Sequence, residues 1–168
     1  MNGETDHSSE SITSAFKCQR ASPLASMLDQ LLDNIRMPLL RTIHHAAIIC
    51  SNYEVSKTFY VNVLGLAVLA ENYRAERLSY KLDLALPGGG QIELFSFPSP
   101  PPRPSRPEAQ GLRHLAFAVD DVGRCREWLT SQGVDVEPIR VDEYTGQRFT
   151  FFADPDGLPL ELYESPLS

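Results

Sequence analysis

No apolar run in this sequence approaches the roughly 18–20 residues that a helix needs to cross a bilayer. Membrane-spanning helices are therefore not expected. Positive charge is also scarce. Lys and Arg number 15 against 22 Asp and Glu, a net charge of −7, and no basic stripe stands out. Nucleic acid is not an expected partner of such a chain. Cysteine is sparser still: Cys18, Cys50 and Cys125 are odd in number and have no metal-type spacing. Cys50 and Cys125 occupy apolar positions of a predicted strand and helix, and read as small core residues in a reducing compartment, which points to the cytoplasm. The first 21 residues lack the apolar segment of a secretory signal, and Glu4, Asp6 and Glu10 argue against a transit peptide. What remains is ordinary for a globular protein: 168 residues, 42% hydrophobic and 22% charged. That length suits one domain or two fused half-domains.

Residues 1–21 are polar, Ser-rich and aperiodic, and predict a disordered extension. A short amphipathic helix is expected over 22–38, with Ser22 as cap, Pro23 in its first turn, and Leu24, Leu28, Leu31, Leu32 and Ile35 as its apolar stripe. The folded domain is expected over 41–164. Its first half, 41–97, reads as a strand at about 42–50 and then a helix ending before Gly65. Strands follow at about 66–74, 79–86 and 91–97. Ser51-Asn52-Tyr53-Glu54 has capping-box form, Val55, Phe59 and Val63 mark the helix stripe, and Pro87-Gly88-Gly89-Gly90 is a turn. Residues 98–111 hold six prolines and predict a stiff connector. The second half, 112–164, repeats the order. A strand at about 112–120 leads to Asp120-Asp121, a natural N-cap, and a helix carrying Val122, Cys125 and Leu129. Strands follow at about 135–142, 147–153 and 158–164, the last two joined by Asp154-Pro155-Asp156-Gly157. The fold class is α+β, two copies of strand-helix-strand-strand-strand.

The most informative feature is a doubled histidine and glutamate. His45 precedes Glu93 by 48 residues and His114 precedes Glu161 by 47, so the histidines are 69 apart and the glutamates 68. Strand alternation puts His45, Glu93, His114 and Glu161 on the faces opposite the helices, along with Phe95 and Tyr163. His44 is the competing ligand, but alternation and the register with His114 favour His45. If the two copies face each other, two imidazoles and two carboxylates meet at one point. Carboxylates so placed repel each other unless a cation lies between them. Such a set suits one divalent ion, whether Zn, Ni, Co, Mn or Fe. A cation there stabilises an enediolate formed by removing a proton beside a carbonyl, and one of the ligand glutamates serves as base. Tyr144, Arg148 and Tyr163 are candidate contacts to an anionic substrate.

These residues resemble the vicinal oxygen chelate (VOC) superfamily, in particular its glyoxalase I-like branch, over about 41–164. The resemblance rests on His45 with Phe59-Tyr60 and Leu64-Gly65-Leu66, on Glu93, on His114 with Ala116-Phe117 and Val119-Asp120, and on the Asp154 turn before Glu161. It implies paired βαβββ modules in a curved sheet around a metal held by His45, Glu93, His114 and Glu161, and a homodimer. It further implies a lyase of the lactoylglutathione type, acting on a small α-oxo substrate or its thiol adduct, with Glu161 as mobile base and Glu93 as second acidic ligand. The run Phe95-Ser96-Phe97-Pro98 departs from the polar groups that help hold glutathione in glyoxalase I, which leaves glutathione open as co-substrate. Alternative activities on the same scaffold are an extradiol dioxygenase, a thiol transferase or a metal-free binding module. Whether the halves pair within one chain or between two is not fixed by the sequence.

Overall fold

Two four-stranded sheets of identical strand order carry the residues singled out above. The computed structural model describes residues 24, 27, 28 and 39–165. The chain divides into two compact units, Met1–Thr42 and Ile43–Ser168. In the first, Leu24, Met27 and Leu28 are helical and exposed. The rest of the expected helix at 22–38, and the extension at 1–21, fall outside the described residues. The second unit contains both modules. No helix among the described residues is long and apolar enough to cross a membrane.

Module one runs β1 (His45–Cys50), α1 (Tyr53–Thr58), β2 (Ala67–Arg74), β3 (Ser79–Ala85) and β4 (Gln91–Ser96). Module two runs β5 (Leu115–Val119), α2 (Val122–Ser131), β6 (Arg140–Val141), β7 (Arg148–Ala153) and β8 (Pro159–Glu164). The strand orders are β1-β4-β3-β2 and β5-β8-β7-β6. In each sheet the first and last strands pair in parallel and the remaining pairs are antiparallel. The duplication extends to register. Glu93 lies opposite Ala47 and Glu161 opposite Ala116, in each case the alanine two residues beyond the histidine.

Three local expectations are revised. Asn52, not Ser51, caps α1, its Oδ1 accepting from the Val55 N–H at 3.3 Å, while the Ser51 N–H donates to Asp156 Oδ2. The helix then widens into a π turn over Phe59–Val63, where the Leu64 N–H reaches back to the Phe59 carbonyl at 3.0 Å. That turn points both Phe59 and Tyr60 inward. The buried stripe is therefore Tyr53, Ser56, Phe59 and Tyr60, and Val55 is exposed. The strand expected at 135–142 shrinks to Arg140–Val141, with a lone bridge from Val136 to Phe152. Pro138 has no N–H for a ladder. Glu137 takes up the pairing instead: its N–H donates to the Phe151 carbonyl and its carbonyl accepts from Thr150 Oγ1.

One apolar cluster joins Ile48, Cys50, Leu82, Leu84, Ile92 and Leu94 of the first sheet to Phe152, Leu160 and Leu162 of the second. Burying such side chains contributes roughly 1.5–3 kcal/mol each. The modules meet through their helix-covered sides. Phe59 packs on Phe152, Trp128 Nε1 donates to the Val63 carbonyl at 2.8 Å, and the Tyr60 hydroxyl donates to Asp154 Oδ2 at 3.0 Å. The faces that carry the histidines and glutamates are the opposite ones.

Candidate metal centre

On the first sheet, His45 opens β1 and Glu93 sits mid-strand on β4, with His45 Nε2 3.6 Å from Glu93 Oε2. The imidazole is 40% exposed and the carboxylate 13%. The other oxygen of Glu93 accepts from Lys81 Nζ at 2.9 Å, and Lys81 also ion-pairs with Asp83. Register explains the cluster, because Asp83 lies opposite Glu93 and Lys81 opposite Phe95. Asp83 and then Glu93 hold the Lys81 ammonium above its ordinary range. His44 touches His45 through their Nδ1 atoms at 2.9 Å.

On the second sheet, His114 immediately precedes β5, and its Nε2 is 3.0 Å from Glu161 Oε2 on β8. Exposure is 26% for the imidazole and 12% for the carboxylate. The ring stands edge-on to Phe151, and its Nδ1 is buried without a hydrogen-bond partner. Around the pair lies a cavity of about 950 Å³ lined by Arg113, Arg140, Phe149 and Phe151 among others.

The four residues thus come together in twos. Among the described residues no group of three or more His, Cys, Asp and Glu is placed to hold a metal ion. The helix-side packing of the modules is the cause, since it leaves each pair on its own outward face. Each pair nonetheless fits the donor chemistry of a divalent ion. Two ligands that each bind one cation at about 2.0–2.2 Å stand roughly 3.0–3.6 Å from one another at octahedral or tetrahedral angles. The separations of 3.0 and 3.6 Å fall in that interval.

The remaining sequence-derived residues divide by face. Phe95 lies on the Glu93 face, stacked with Phe97 at 6.2 Å. Tyr163 lies on the Glu161 face, stacked with Phe149, and its hydroxyl bonds Thr145 and Asp142. Tyr144 is almost wholly exposed in the turn between β6 and β7, its N–H donating to Asp142 Oδ1. That N–H holds the Asp142 carboxyl below its ordinary range. Arg148 is on the other side of β7, with the inward-facing Thr150 and Phe152. It pairs with Glu164 at 3.3 Å and Asp121 at 4.0 Å, at the start of α2. Sequence reasoning did not single out Lys81. Lys81 was reachable, because its two-residue spacing from Asp83 puts both on the face of Glu93.

Cys50 is buried, and burial followed by the Asp156 charge pushes its thiol up to about 11. This thiol is a packing group rather than a nucleophile. A buried polar junction forms at Asp154. Its Oδ1 accepts the N–H groups of Asp156 and Leu158, at 2.9 and 2.8 Å, and its Oδ2 the Tyr60 hydroxyl.

Residues 42–162 match the Glyoxalase/Bleomycin resistance protein/Dioxygenase superfamily, and the chain belongs to that family. It is 63% identical over 126 residues to the uncharacterized protein YwkD of Bacillus subtilis, covering 75% of this chain and 98% of that one. A solved glyoxalase family protein from Enterococcus faecalis is 52% identical, with a TM-score of 0.71 over 76% of this chain and all of the other. At greater distance, the 2-epi-5-epi-valiolone epimerase of an Actinomyces species is 29% identical over 145 residues, covering 74% of this chain and 79% of the epimerase.

Proposed function

We propose that the chain is a metal-dependent, glyoxalase I-like lyase or isomerase that moves a proton on a small α-oxo compound or its thiol adduct. It works as a homodimer. His45 and Glu93 of one protomer meet the partner subunit's His114 and Glu161, so each dimer holds two sites. The single observation that carries this reading is the pair of half-sites. Each offers one imidazole nitrogen and one carboxylate at ligand spacing, on a largely covered glutamate and on the face of its sheet away from the other module. Dimerisation is also favoured by β1 and β5, each the edge of its sheet. Edge strands invite pairing with another chain.

A divalent cation bound by the four ligands supplies Lewis acidity toward the substrate oxygens. The protein's own groups do the rest. Glu161 removes the proton from the carbon beside the carbonyl, and the C–H electron pair moves into the carbon–carbon bond as charge passes to the carbonyl oxygen. Return of that proton to the former carbonyl carbon, while the hydroxyl proton on the first carbon passes to the other oxygen, completes the isomerisation. Inversion of a carbon centre can start from the same proton removal, and the relative named an epimerase favours that chemistry over oxygen insertion. His114, whose Nε2 lies 3.0 Å from Glu161 Oε2, would bind the cation beside that carboxylate. Phe95 and Tyr163 border the two half-sites and help exclude water.

Metal analysis combined with an assay on methylglyoxal and glutathione tests this reading. The expected result is close to one divalent ion per chain and turnover abolished by chelation. Metal-free protein with undiminished turnover would contradict it. A metal-loaded enzyme that ignores the hemithioacetal but isomerises other α-oxo compounds would remove glutathione alone.

A further inference from the structure

Arg74 closes β2 on the Glu93 face of the first sheet, level with Ser79. Its guanidinium lies over two phenyl rings, 4.8 Å from the centre of Phe95 and 5.6 Å from that of Phe97. Stacking on aromatic faces suits the flat, weakly hydrated guanidinium and fixes its plane. One Nη donates to the buried Ser79 Oγ at 2.6 Å. The Nε–H is buried and has no hydrogen-bond partner.

Among the described cations that lie over aromatic rings, Arg74 forms no ion pair, whereas Lys57, Lys81 and Arg140 each face a carboxylate. A half-covered cation with an unmet N–H costs stability unless something else supplies the acceptor. Arg140 makes the contrast plain. It too lies over two rings, Phe149 and Phe151, yet it pairs with Glu137 at 2.9 Å.

We propose that Arg74 is the anion-binding residue of the site, and that the substrate carries a carboxylate or phosphate distal to its reacting α-oxo end. This inference rests on the reading of Glu93 as part of the reactive centre. Phe95 is two residues beyond Glu93 on the same strand face, a step of about 7 Å. A small molecule of four to six atoms in its chain spans that step. Nη1, for which no partner is seen among the described residues, carries N–H donors that suit the oxygens of an oxyacid, with Nη2 held in place by Ser79. Phe95 and Phe97 become the floor beneath the guanidinium, which accounts for apolar residues at this point of the strand.

Calorimetric binding to the purified, metal-analysed protein tests the proposal with matched probes. These are α-ketoglutarate against α-ketovalerate, and dihydroxyacetone phosphate against dihydroxyacetone. The wild type should prefer at least one charged member by about tenfold or more. Arg74→Met should abolish that preference while leaving metal content and the binding of the uncharged-tail probes unchanged. Arg74→Lys keeps the charge without the fork, and should retain part of the preference. It also serves if the methionine variant does not fold. Which charged probe is preferred identifies the group as carboxylate or phosphate. Equal binding of charged and uncharged tails by the wild type, or an undiminished preference in either Arg74→Met or, failing that, Arg74→Lys, overturns the proposal. A preference that depends on Arg74 in protein that binds no metal would sink the metal reading and leave the anion site standing.

Discussion

Glu161→Gln is expected to lower kcat by about a hundredfold to ten-thousandfold, the range over which a positioned general base contributes. The amide has the size of the carboxylate and keeps an oxygen, but it accepts no proton from carbon at neutral pH. The fold should be intact. Glu161 lies on the face of β8 away from the core, while its neighbours Leu160 and Leu162 face inward and are buried. Circular dichroism and melting temperature close to wild type, together with collapsed turnover, are the predicted pair of results. Steady-state turnover at the wild-type rate would remove Glu161 from the chemistry. The matched change Glu93→Gln tests a carboxylate that is ligand alone, where Glu161 is both ligand and base. It should weaken metal retention, because Glu93 faces His45 at 3.6 Å and is held by Lys81.

Asp154→Ala should cost about 3–5 kcal/mol in denaturant unfolding, because it strands three donors in a covered place. The Tyr60 hydroxyl belongs to the first module, and the N–H groups of Asp156 and Leu158 to the second. The carboxylate is therefore both the frame of a turn and the polar link between modules. Tyr60→Phe removes one donor of the three and should cost about 1 kcal/mol. A pH dependence follows. Burial raises the Asp154 carboxyl above its ordinary value, more than its hydrogen bonds lower it. The folded protein thus holds this proton more tightly than the unfolded chain does. The proton-linked stability is fully present below the unfolded carboxyl range, around pH 4, and is lost as the pH rises through the raised value. The advantage of wild type over Asp154→Ala should accordingly shrink from pH 4 toward neutrality. An Asp154→Ala protein as stable as wild type at pH 4 would show that the junction carries no load.

The sequence made the duplication legible because it is written in period and register. His45 and His114, Glu93 and Glu161, and the turns at Gly65, Pro87 and Asp154 all follow from local rules. Alternation also placed Leu94 and Leu160 inward and Glu93 and Glu161 outward, as the structure has them. Applied to β7, the same rule sends Arg148 inward beside Thr150, where it meets Glu164. What local rules do not carry is how the modules meet. That is decided by Tyr60 with Asp154, Trp128 with Val63 and Phe59 with Phe152, contacts between residues some 65 to 94 positions apart. It is this packing that sends the two half-sites to separate faces. The π turn at Phe59 and the truncation of β6 by Pro138 are likewise set by packing and by a missing N–H, and no periodicity announces them.

The central claim is that two chains complete one site, and mixing two inactive variants tests it most directly. One variant carries His45→Ala and Glu93→Gln, the other His114→Ala and Glu161→Gln; each alone should be inactive. Co-refolded in equal amounts, they should recover about one quarter of wild-type activity, since half of the dimers are mixed and each mixed dimer regains one of two sites. A mixture as inactive as its components, with mixed dimers demonstrably present, would contradict the account.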